Sequence, residues 1–286
     1  MQTITYTNVN GSLSLGANTT PYFLQNIEGV TGITVDILSQ TAPFQQGTTY
    51  IRSDFRPRNI TIRGLITATD YTTLNTRKRL IQNLFNPKLV STITYTNDYF
   101  TAVSGCYPEM APAFTQSDQS LYFQTFFVSL ICPNPFWRDA TAYGTWMSIS
   151  IPKFKFDLEL TDTYEFETNG TNRMTIDNVG DVETSVIIYF HGAAINPRVD
   201  NLTTGEYIKV TKTLADGEAL VINTEFGNKS VLFDDGLTQT NAFGLIDLSS
   251  TFFQLQVGEN ILAYSADTGV ETASVLVQYY TRYLGM

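Results

Sequence analysis

The chain has 286 residues, of which 43% are hydrophobic, 13% aromatic and only 15% charged, and its formal net charge is −10. This length predicts two domains that can each bury a core, and the aromatic-rich, charge-poor composition excludes intrinsic disorder. The acidic balance disfavours nucleic-acid binding, which needs a basic surface, and no apolar run is long enough to predict a membrane span.

The charge is unevenly distributed along the chain. Residues 1–140 contain 9 Lys and Arg against 8 Asp and Glu, a net of +1, whereas residues 141–286 contain 8 against 19, a net of −11. We therefore predict an N-terminal domain over 1–140 and a C-terminal domain over 141–286. Both are expected to be mainly β, because 16 Tyr, 19 Phe and many Thr suit a pleated, half-buried surface.

Two segments of the first domain alternate apolar and polar residues strictly enough to predict half-buried strands, residues 29–37 and 59–66. Residues 43–58, which lie between these strands, are interpreted as a polar loop that carries three arginines. The whole N-terminal segment up to residue 51 reads as short extended pieces broken by Gly and Asn.

One helix is predicted in the first domain. Asp70 suits the N-cap, residues 71–86 place apolar side chains on one helical stripe, and Pro87 ends the helix. The stripe consists of Leu74, Ile81, Leu84 and Phe85. The basic triplet at 77–79 is interpreted as a solvated face, although it could also meet an acidic neighbouring subunit.

A hairpin and a long strand are predicted after the helix. Residues 91–96 and 99–103 flank Asn97-Asp98, which predicts a two-residue turn. Residues 120–132 form the long strand, and the prolines that follow it cannot continue a ladder. The domain boundary is placed just beyond them.

The second domain reads as a series of short strands. Turn signals such as Asn169-Gly170, Asp216-Gly217 and Asp235-Gly236 separate them, and this spacing predicts a β-sandwich. The candidate strands are residues 146–151, 154–160, 163–168, 174–178, 186–192, 198–201, 206–210, 219–223, 229–233, 252–255, 260–265 and 274–283.

Residue types that carry catalysis are sparse. His191 is the single histidine, which excludes a two-histidine zinc motif, and neither Gly-x-Ser-x-Gly nor a phosphate-binding Gly-rich loop occurs. We therefore expect no catalytic residue, no metal and no cofactor, and predict that the protein is not an enzyme. Cys106 and Cys132 are expected to be buried, reduced thiols of a protein made in the cytosol, since the first residues lack the pattern of a secretory signal.

Three other interpretations of individual residues stay open. Glu165 and Glu167 share one face of a predicted strand and could be the carboxylate pair of a glycan hydrolase. Asp234 and Asp235 could contribute to a calcium site, although they lack the spaced ligand loop of an EF-hand. A catalytic pair of one cysteine with the histidine is formally open as well.

The order of several segments carries a resemblance to a known family. Arg-Pro-Arg-Asn-Ile-Thr-Ile-Arg-Gly at 56–64 precedes the helix, and Cys-Pro-Asn-Pro-Phe-Trp at 132–137 ends the long strand. Asn-Val-Gly-Asp-Val-Glu-Thr at 178–184 precedes Asn-Pro-Arg-Val-Asp-Asn-Leu-Thr-Thr-Gly at 196–205. Over essentially the whole chain, this order resembles the distal tail protein (Dit) family of siphophages that infect Gram-positive bacteria.

The resemblance implies an N-terminal split β-barrel with one α-helix and a β-hairpin, which builds a homo-hexameric ring, and a C-terminal galectin-like β-sandwich that faces outward. It implies a structural hub of the phage tail tip or baseplate, which joins the major tail tube protein to the tail-associated lysin and to host-adsorption proteins such as receptor-binding proteins. The implied location is the virion, after synthesis and assembly in the host bacterial cytoplasm. An infective phage, a defective prophage and a phage-tail-like bacteriocin are all compatible with it, and neither nucleic acid nor a membrane is an expected partner.

A scaffold of this kind acts through its surfaces, and closed rings arise from heterologous contacts whose rotation closes. The near-neutral first domain can pack against copies of itself without the repulsion that six domains at −11 would suffer. Residues 1–51 and the loop 43–58 are not expected to be stable alone, so strand addition to a neighbouring subunit would satisfy their backbone groups. We take Arg52, Arg56 and Arg58 as candidate inter-subunit contacts, which acidic partners would make salt-sensitive.

The alternative function is a carbohydrate-binding adhesion module at the tail tip that contacts the host cell wall. Exposed tyrosines of a sandwich could stack on sugar rings, and the candidates are Tyr207, Tyr279, Tyr280 and Tyr283. No galectin sugar motif is visible in the sequence, and a galectin-like fold does not by itself carry sugar binding.

Overall fold

The computed structural model describes residues 2–115, 120–149 and 172–286. The chain folds into two compact units: unit 1 comprises residues 1–140 with 282–286, and unit 2 comprises residues 141–281. Both are built mainly of β-strands, as the composition predicts. In the described part of the chain, no helix is long and apolar enough to span a membrane.

The strands are numbered in chain order. Those within residues 2–149 are β1 Thr3–Asn8, β2 Gly11–Gly16, β3 Tyr22–Glu28, β4 Val35–Gln40, β5 Thr49–Phe55, β6 Arg58–Thr67, β7 Ser91–Thr96, β8 Thr101–Pro108, β9 Ala113–Phe114, β10 Phe123–Cys132, β11 Trp137–Asp139 and β12 Tyr143–Ser148. Those within residues 172–286 are β13 Arg173–Asn178, β14 Val186–His191, β15 Ala194–Ile195, β16 Arg198–Asn201, β17 Glu206–Lys209, β18 Thr213–Leu214, β19 Ala219–Asn223, β20 Ser230–Asp234, β21 Gln239–Asn241, β22 Gly258–Ser265, β23 Ser274–Tyr279 and β24 Arg282–Tyr283. The helix α1 spans Tyr71–Leu84, and a short 3-10 helix spans Phe243–Leu245.

Seven strands of unit 1 close into a barrel in the order β8-β7-β1-β2-β3-β6-β10, with β10 pairing back to β8. The residues of β6 alternate between buried and more exposed, as its sequence predicts, because one face lines the core. The contact that closes the barrel is short, with the pairs Tyr107↔Ile131 and Pro108↔Leu130. The predicted mainly β fold with an N-terminal barrel and one helix is confirmed in the described residues.

The helix α1 packs its apolar stripe into the barrel core. It begins after Asp70, whose carboxylate accepts a hydrogen bond from the backbone N–H of Thr73 at 2.9 Å, so the predicted N-cap is confirmed. The helix ends at Leu84, because Phe85 leaves the helical conformation while its N–H still bonds to Ile81. The Phe85 ring then stacks on Tyr6 of β1, with the ring centroids 4.1 Å apart.

Two predictions for loops of unit 1 are wrong. Residues 49–55, taken as part of a polar loop, form β5, which is antiparallel to β4. The half-buried strand predicted over residues 29–37 is wrong as well, because residues 29–34 form no strand and β4 begins only at Val35 and is exposed at every position. The alternation of Val35 and Ile37 with polar residues therefore marks no buried face. Every residue of β5 is exposed too, so no buried face imposes alternation on it. The hairpin expected to turn in two residues has a four-residue turn, since the Asn97 side chain accepts hydrogen bonds from the backbone N–H groups of both Tyr99 and Phe100.

The last strand, β24, belongs to unit 1, which differs from the predicted range 141–286 of the C-terminal domain. It pairs with β11 through Trp137↔Tyr283, and the ring of Tyr283 meets Phe100 edge-on with centroids 4.7 Å apart. A two-residue strand carries no periodicity that a sequence pattern can reveal. Its placement depends on these tertiary contacts.

Two sheets of unit 2 share one apolar core, which is the predicted sandwich. Their strand orders are β12-β23-β14-β19-β20-β21 and β13-β22-β16-β17. In the core, Phe190 of β14 meets Tyr264 of β22 edge-on, with ring centroids 5.9 Å apart. The predicted strands at 154–160 and 163–168 lie outside the described residues. The strand predicted at 252–255 is wrong, because Leu255 makes only an isolated bridge.

Candidate functional site

The acidic residues considered as sites form no metal-binding group within the described residues. The described part of the chain holds no group of three or more His, Cys, Asp or Glu side chains that could bind a metal ion. Asp234 and Asp235 each accept hydrogen bonds from backbone N–H groups of residues 236–238, so both carboxylates stabilise a turn. Glu165 and Glu167 lie outside the described residues.

A solvent-exposed β-hairpin distinguishes unit 1, and we call residues 35–55 the arm. Its strands pair from Val35↔Phe55 to Gln40↔Thr49, with a register shift after Leu38. A two-stranded hairpin with no buried face is only marginally stable in water. The arm therefore depends on its attachment to unit 1, and its exposed strands leave their side chains uncovered.

Large apolar side chains cover the arm. Its tip is ordered, because the Gln45 side chain accepts the N–H of Ala42 at 2.9 Å while Phe44, in a left-handed conformation, is fully exposed. Its base is anchored, because Phe55 meets Phe136 edge-on at 5.2 Å. The exposed apolar residues are Val35, Ile37, Leu38, Phe44, Tyr50, Ile51 and Phe55. Apolar surface concentrated in this way is typical of an interaction site.

Two of the three predicted contact arginines belong to the arm or adjoin it. Arg52 forms an ion pair with Asp54 at 3.0 Å, and Arg56 forms one with Asp36 at 2.5 Å. The hydrogen bond to Asp36 raises the pKa of Arg56. Both pairs are exposed, and such pairs contribute little to stability. Each arginine thus already has a carboxylate partner within its own chain.

Arg58, the third predicted contact, is only 2% exposed and is unavailable to a neighbouring subunit, which corrects that prediction. Its guanidinium lies 5.7 Å from the ring centroid of Trp137, and burial lowers the pKa of Arg58. Five backbone carbonyls accept its N–H groups at 2.5–3.0 Å, those of Gly29, Val30, Gly32, Pro135 and Leu284. Arg58 therefore holds distant segments of unit 1 together.

The tyrosines predicted as sugar platforms are not brought together. The ring of Tyr207 is covered by the guanidinium of Arg198 at 3.8 Å, and Tyr279 stacks on Tyr143 at 5.5 Å. Tyr283 packs inside unit 1, and Tyr280 is half-buried. Three of the four rings thus already contact another side chain of the chain, and the four tyrosines form no shared platform.

Unit 2 instead presents a different group of aromatic residues, on the outer face of its six-stranded sheet. Trp146 of β12 is 57% exposed, and its ring lies 5.7 Å from that of His191. The rings of His191 and Tyr189 are nearly parallel, with an interplanar angle of 6° and centroids 6.3 Å apart. We call Trp146, Tyr189 and His191 the aromatic platform. The sequence signal that could have indicated it is that Trp146 and Met147 are neighbours in a predicted strand, since neighbouring strand residues point to opposite faces and only one of the two can face the core.

Two family models match the chain in succession. Residues 12–132 match the phage tail protein RIFT-related domain, and residues 179–283 match the C-terminal domain of the siphovirus-type tail component. Together the two matches span both units. No curated protein sequence matches the chain.

Solved structures of phage proteins share the fold. The Dit protein of phage SPP1, described as a paradigm of the hub adsorption apparatus in phages that infect Gram-positive bacteria, is 12% identical, with a TM-score of 0.71 over 98% of this chain and 99% of that one. A chain of the phage P2 baseplate in its activated conformation with Ca is 12% identical, with a TM-score of 0.57 over 97% of both chains. A chain of the phage p2 baseplate in its activated conformation with Sr is 13% identical, with a TM-score of 0.57 over 97% of this chain and 98% of that one. At these identities the likeness shows the fold.

Proposed function

Because the chain belongs to the siphophage distal tail protein (Dit) family, we propose that it is a structural hub of a phage baseplate, which forms a closed ring of six copies through unit 1. The ring joins the major tail tube protein to the tail-associated lysin and to the receptor-binding proteins that contact the host. It acts at the tip of the virion as a scaffold rather than as an enzyme, after synthesis in the host cytoplasm. The observation that carries this proposal is the exposed arm.

The arm supplies a contact that a ring needs. Burying one large apolar side chain contributes about 1.5–3 kcal/mol, so the apolar residues of the arm give a neighbouring subunit a substantial association energy. The arm of one copy packs on unit 1 of the next, which is a heterologous contact and closes into a ring when the rotation allows it. The edges of β4 and β5 also offer unpaired backbone groups for strand addition.

The charge distribution favours unit 1 as the ring. The first 140 residues carry a net charge of +1, so six copies approach one another with little repulsion. Residues 141–286 carry −11, and they repel one another least when they lie apart at the outside of the ring. A heterologous ring also has two different faces, which suits a hub that holds the tube on one face and the adsorption proteins on the other.

The test compares two substitutions of exposed aromatic residues in unit 1. Phe44→Ser removes an apolar side chain from the tip of the arm, whereas Tyr99→Ser removes one that is 96% exposed in the turn between β7 and β8. We expect light scattering of the full chain to give six times its 31.9 kDa mass, and Phe44→Ser to shift the protein to smaller species.

The matched variant Tyr99→Ser is expected to keep the hexamer. Loss of assembly in Tyr99→Ser with assembly intact in Phe44→Ser would reject the arm as the contact. A wild-type chain that stays monomeric both alone and when co-expressed with its neighbouring tail proteins would reject the ring.

The aromatic platform supports a second candidate function, binding of a neutral cell-wall glycan by unit 2. Sugar rings stack their apolar faces on exposed aromatic side chains, and Trp146 presents such a face. Polar side chains suited to sugar hydroxyls flank it on the same face of the sheet, Ser148 and Ser274.

Titration with wall polysaccharides, followed by Trp fluorescence, tests this candidate. Binding that is lost in Trp146→Ala and kept in Phe226→Ala, an exposed aromatic residue elsewhere in unit 2, would establish the glycan site. Wild-type fluorescence that does not change with any polysaccharide would leave the scaffold as the function of the chain.

A further inference from the structure

The seam that closes the barrel ends beside the two cysteines. The pairing of β8 with β10 includes Tyr107↔Ile131 and Pro108↔Leu130, and Cys106 and Cys132 are the next residues along the two strands. Both side chains are fully buried in the barrel core. The two thiols thus face each other beside the contact between β8 and β10, which consists of only two residue pairs.

The hydrogen-bond pattern of the seam fixes the type of pair that the cysteines make. The backbone N–H of Glu109 donates to the carbonyl of Ser129 at 2.9 Å. Hydrogen-bonded and non-hydrogen-bonded pairs alternate, so continuing the register one residue beyond Tyr107↔Ile131 gives Cys106 opposite Cys132 at a non-hydrogen-bonded position. In such pairs the Cα atoms lie about 4.5 Å apart, which is within the range of about 4.4–6.8 Å that a disulfide requires.

The surroundings of the two thiols give them different pKa values. Cys106 donates its S–H to Cys132, which lowers the pKa of Cys132 and raises that of Cys106. The Ser104 hydroxyl also faces Cys132, and its buried oxygen has no nitrogen or oxygen partner. The positive charge of Arg58 also lowers the pKa of Cys132. Cys132 is therefore the more nucleophilic of the two sulfurs.

From this geometry we propose that Cys106 and Cys132 form a redox modification site, at which a small peroxide converts the two thiols into a disulfide that covalently closes the barrel between β8 and β10. A small neutral oxidant suits the site, because neither thiol is exposed. The cysteine pair lies in the barrel core and takes no part in the ring contact that is proposed for the arm.

The reaction balances without any other reactant. The Cys132 thiolate attacks one oxygen of hydrogen peroxide and breaks the O–O bond, which gives a sulfenic acid and hydroxide, and the hydroxide takes up the proton that the thiol released. The Cys106 sulfur then attacks the Cys132 sulfur and displaces the hydroxyl group, which leaves as water with the Cys106 proton. Two thiols lose two electrons, and one peroxide becomes two water molecules.

The disulfide changes the stability of the barrel. It closes a loop of about 27 residues, and linking such a loop restricts the unfolded chain enough to raise the melting temperature of unit 1 by on the order of 10 °C. The thiols stay reduced in a bacterial cytoplasm and meet oxidants outside it. Only the expectation that the thiols are oxidised after the protein leaves the cytoplasm rests on the proposed virion location.

The test treats the folded full chain with hydrogen peroxide, removes the oxidant, and counts thiols after unfolding. We expect both thiols to disappear, the mass to fall by two hydrogen atoms, and one proteolytic peptide pair to be joined through Cys106 and Cys132. Two remaining thiols, a mass gain from sulfinic acid, or cross-links between chains only would overturn the proposal. A joined pair whose unit 1 melts no higher than the reduced protein would overturn the closing role.

Three variants distinguish the roles of the two sulfurs and of the Ser104 hydroxyl in the reaction. Cys106→Ala is expected to stop at a sulfenic acid that a cyclic dione probe captures, whereas Cys132→Ala should give no captured product. Ser104→Ala is expected to slow the loss of thiols several-fold without changing the final product. If these variants do not fold, the wild-type mass and melting measurements decide alone. Equal capture in both cysteine variants would contradict the assignment of Cys132 as the attacking sulfur.

Discussion

The guanidinium of Arg58 lies over the ring of Trp137 and donates to the carbonyl of Leu284, a residue 226 positions away in sequence. The same side chain reaches the carbonyl of Gly29, next to which β6 passes. Buried carbonyls need donors, and one planar group with several N–H bonds satisfies carbonyls from three segments at once. Arg58 therefore connects the end of the chain to the barrel.

Arg58→Lys is expected to destabilise unit 1 by about 2–4 kcal/mol, because a single ammonium group cannot reach five carbonyls and leaves several of them unpaired. Urea unfolding of the full chain measures the change. Arg79→Lys, on the exposed face of α1, is the control and should unfold like the wild type. Equal midpoints for the two variants would contradict the role assigned to Arg58.

Two glycines of the barrel give opposite predictions for the same substitution. A Cβ at Gly64 would lie 2.5 Å from two carbons of the Phe126 ring, whereas a Cβ at Gly105 meets nothing within 4 Å. Gly64→Ala should cost about 1–3 kcal/mol through overpacking. Gly105→Ala should be neutral or slightly stabilising, because alanine restricts the unfolded chain. Calorimetry of both variants decides, and a Gly105→Ala loss that matches Gly64→Ala would contradict the steric explanation.

Acid should weaken the cap of α1. The backbone N–H of Thr73 lowers the pKa of Asp70, so the folded-state value lies below the unfolded value. The cap therefore contributes stability above the unfolded pKa and loses it as the pH falls through the folded pKa. Asp70→Asn keeps a capping oxygen but does not titrate. We expect the thermal stability advantage of the wild type over this variant at pH 7 to shrink as the pH approaches about 3. A pH-independent difference would contradict this.

The salt dependence of ring assembly should be weak. Arg52 and Arg56 are already paired with Asp54 and Asp36, so the apolar side chains of the arm, rather than its charges, supply the association energy. Raising the salt from about 0.1 M to 1 M shortens the screening length from about 10 Å to 3 Å. Light scattering across that range should find the hexamer unchanged. Dissociation at high salt would restore the prediction that the arginines meet acidic groups of a neighbour.

The elements that bury one face were predictable from the sequence. The strict alternation of β6 and the capped stripe of α1 are both produced by the same barrel core, so local pattern and tertiary structure agree. The family resemblance rested on the order of such segments along the chain. It gave the correct barrel, the correct helix and the correct sandwich.

The features that act through exposure or long-range contact were not predictable. The arm has no buried face, so the alternation within residues 29–37 predicted a half-buried strand where β4 is exposed, and residues 49–55 were taken for a loop. Arg58 looked like a surface charge beside Pro57, because its partners lie as far away as Leu284. The aromatic platform was missed for a related reason, since the contact of Trp146 with His191 joins strands that are distant in sequence.

The copy number and contacts of the chain in an assembled baseplate test the central claim most directly. Cryo-electron microscopy of tail tips that contain the chain should show six copies around the tail axis, with each arm packed against unit 1 of its neighbour and each unit 2 at the outside. A different copy number, or six copies whose arms all remain in solvent, would contradict the claim.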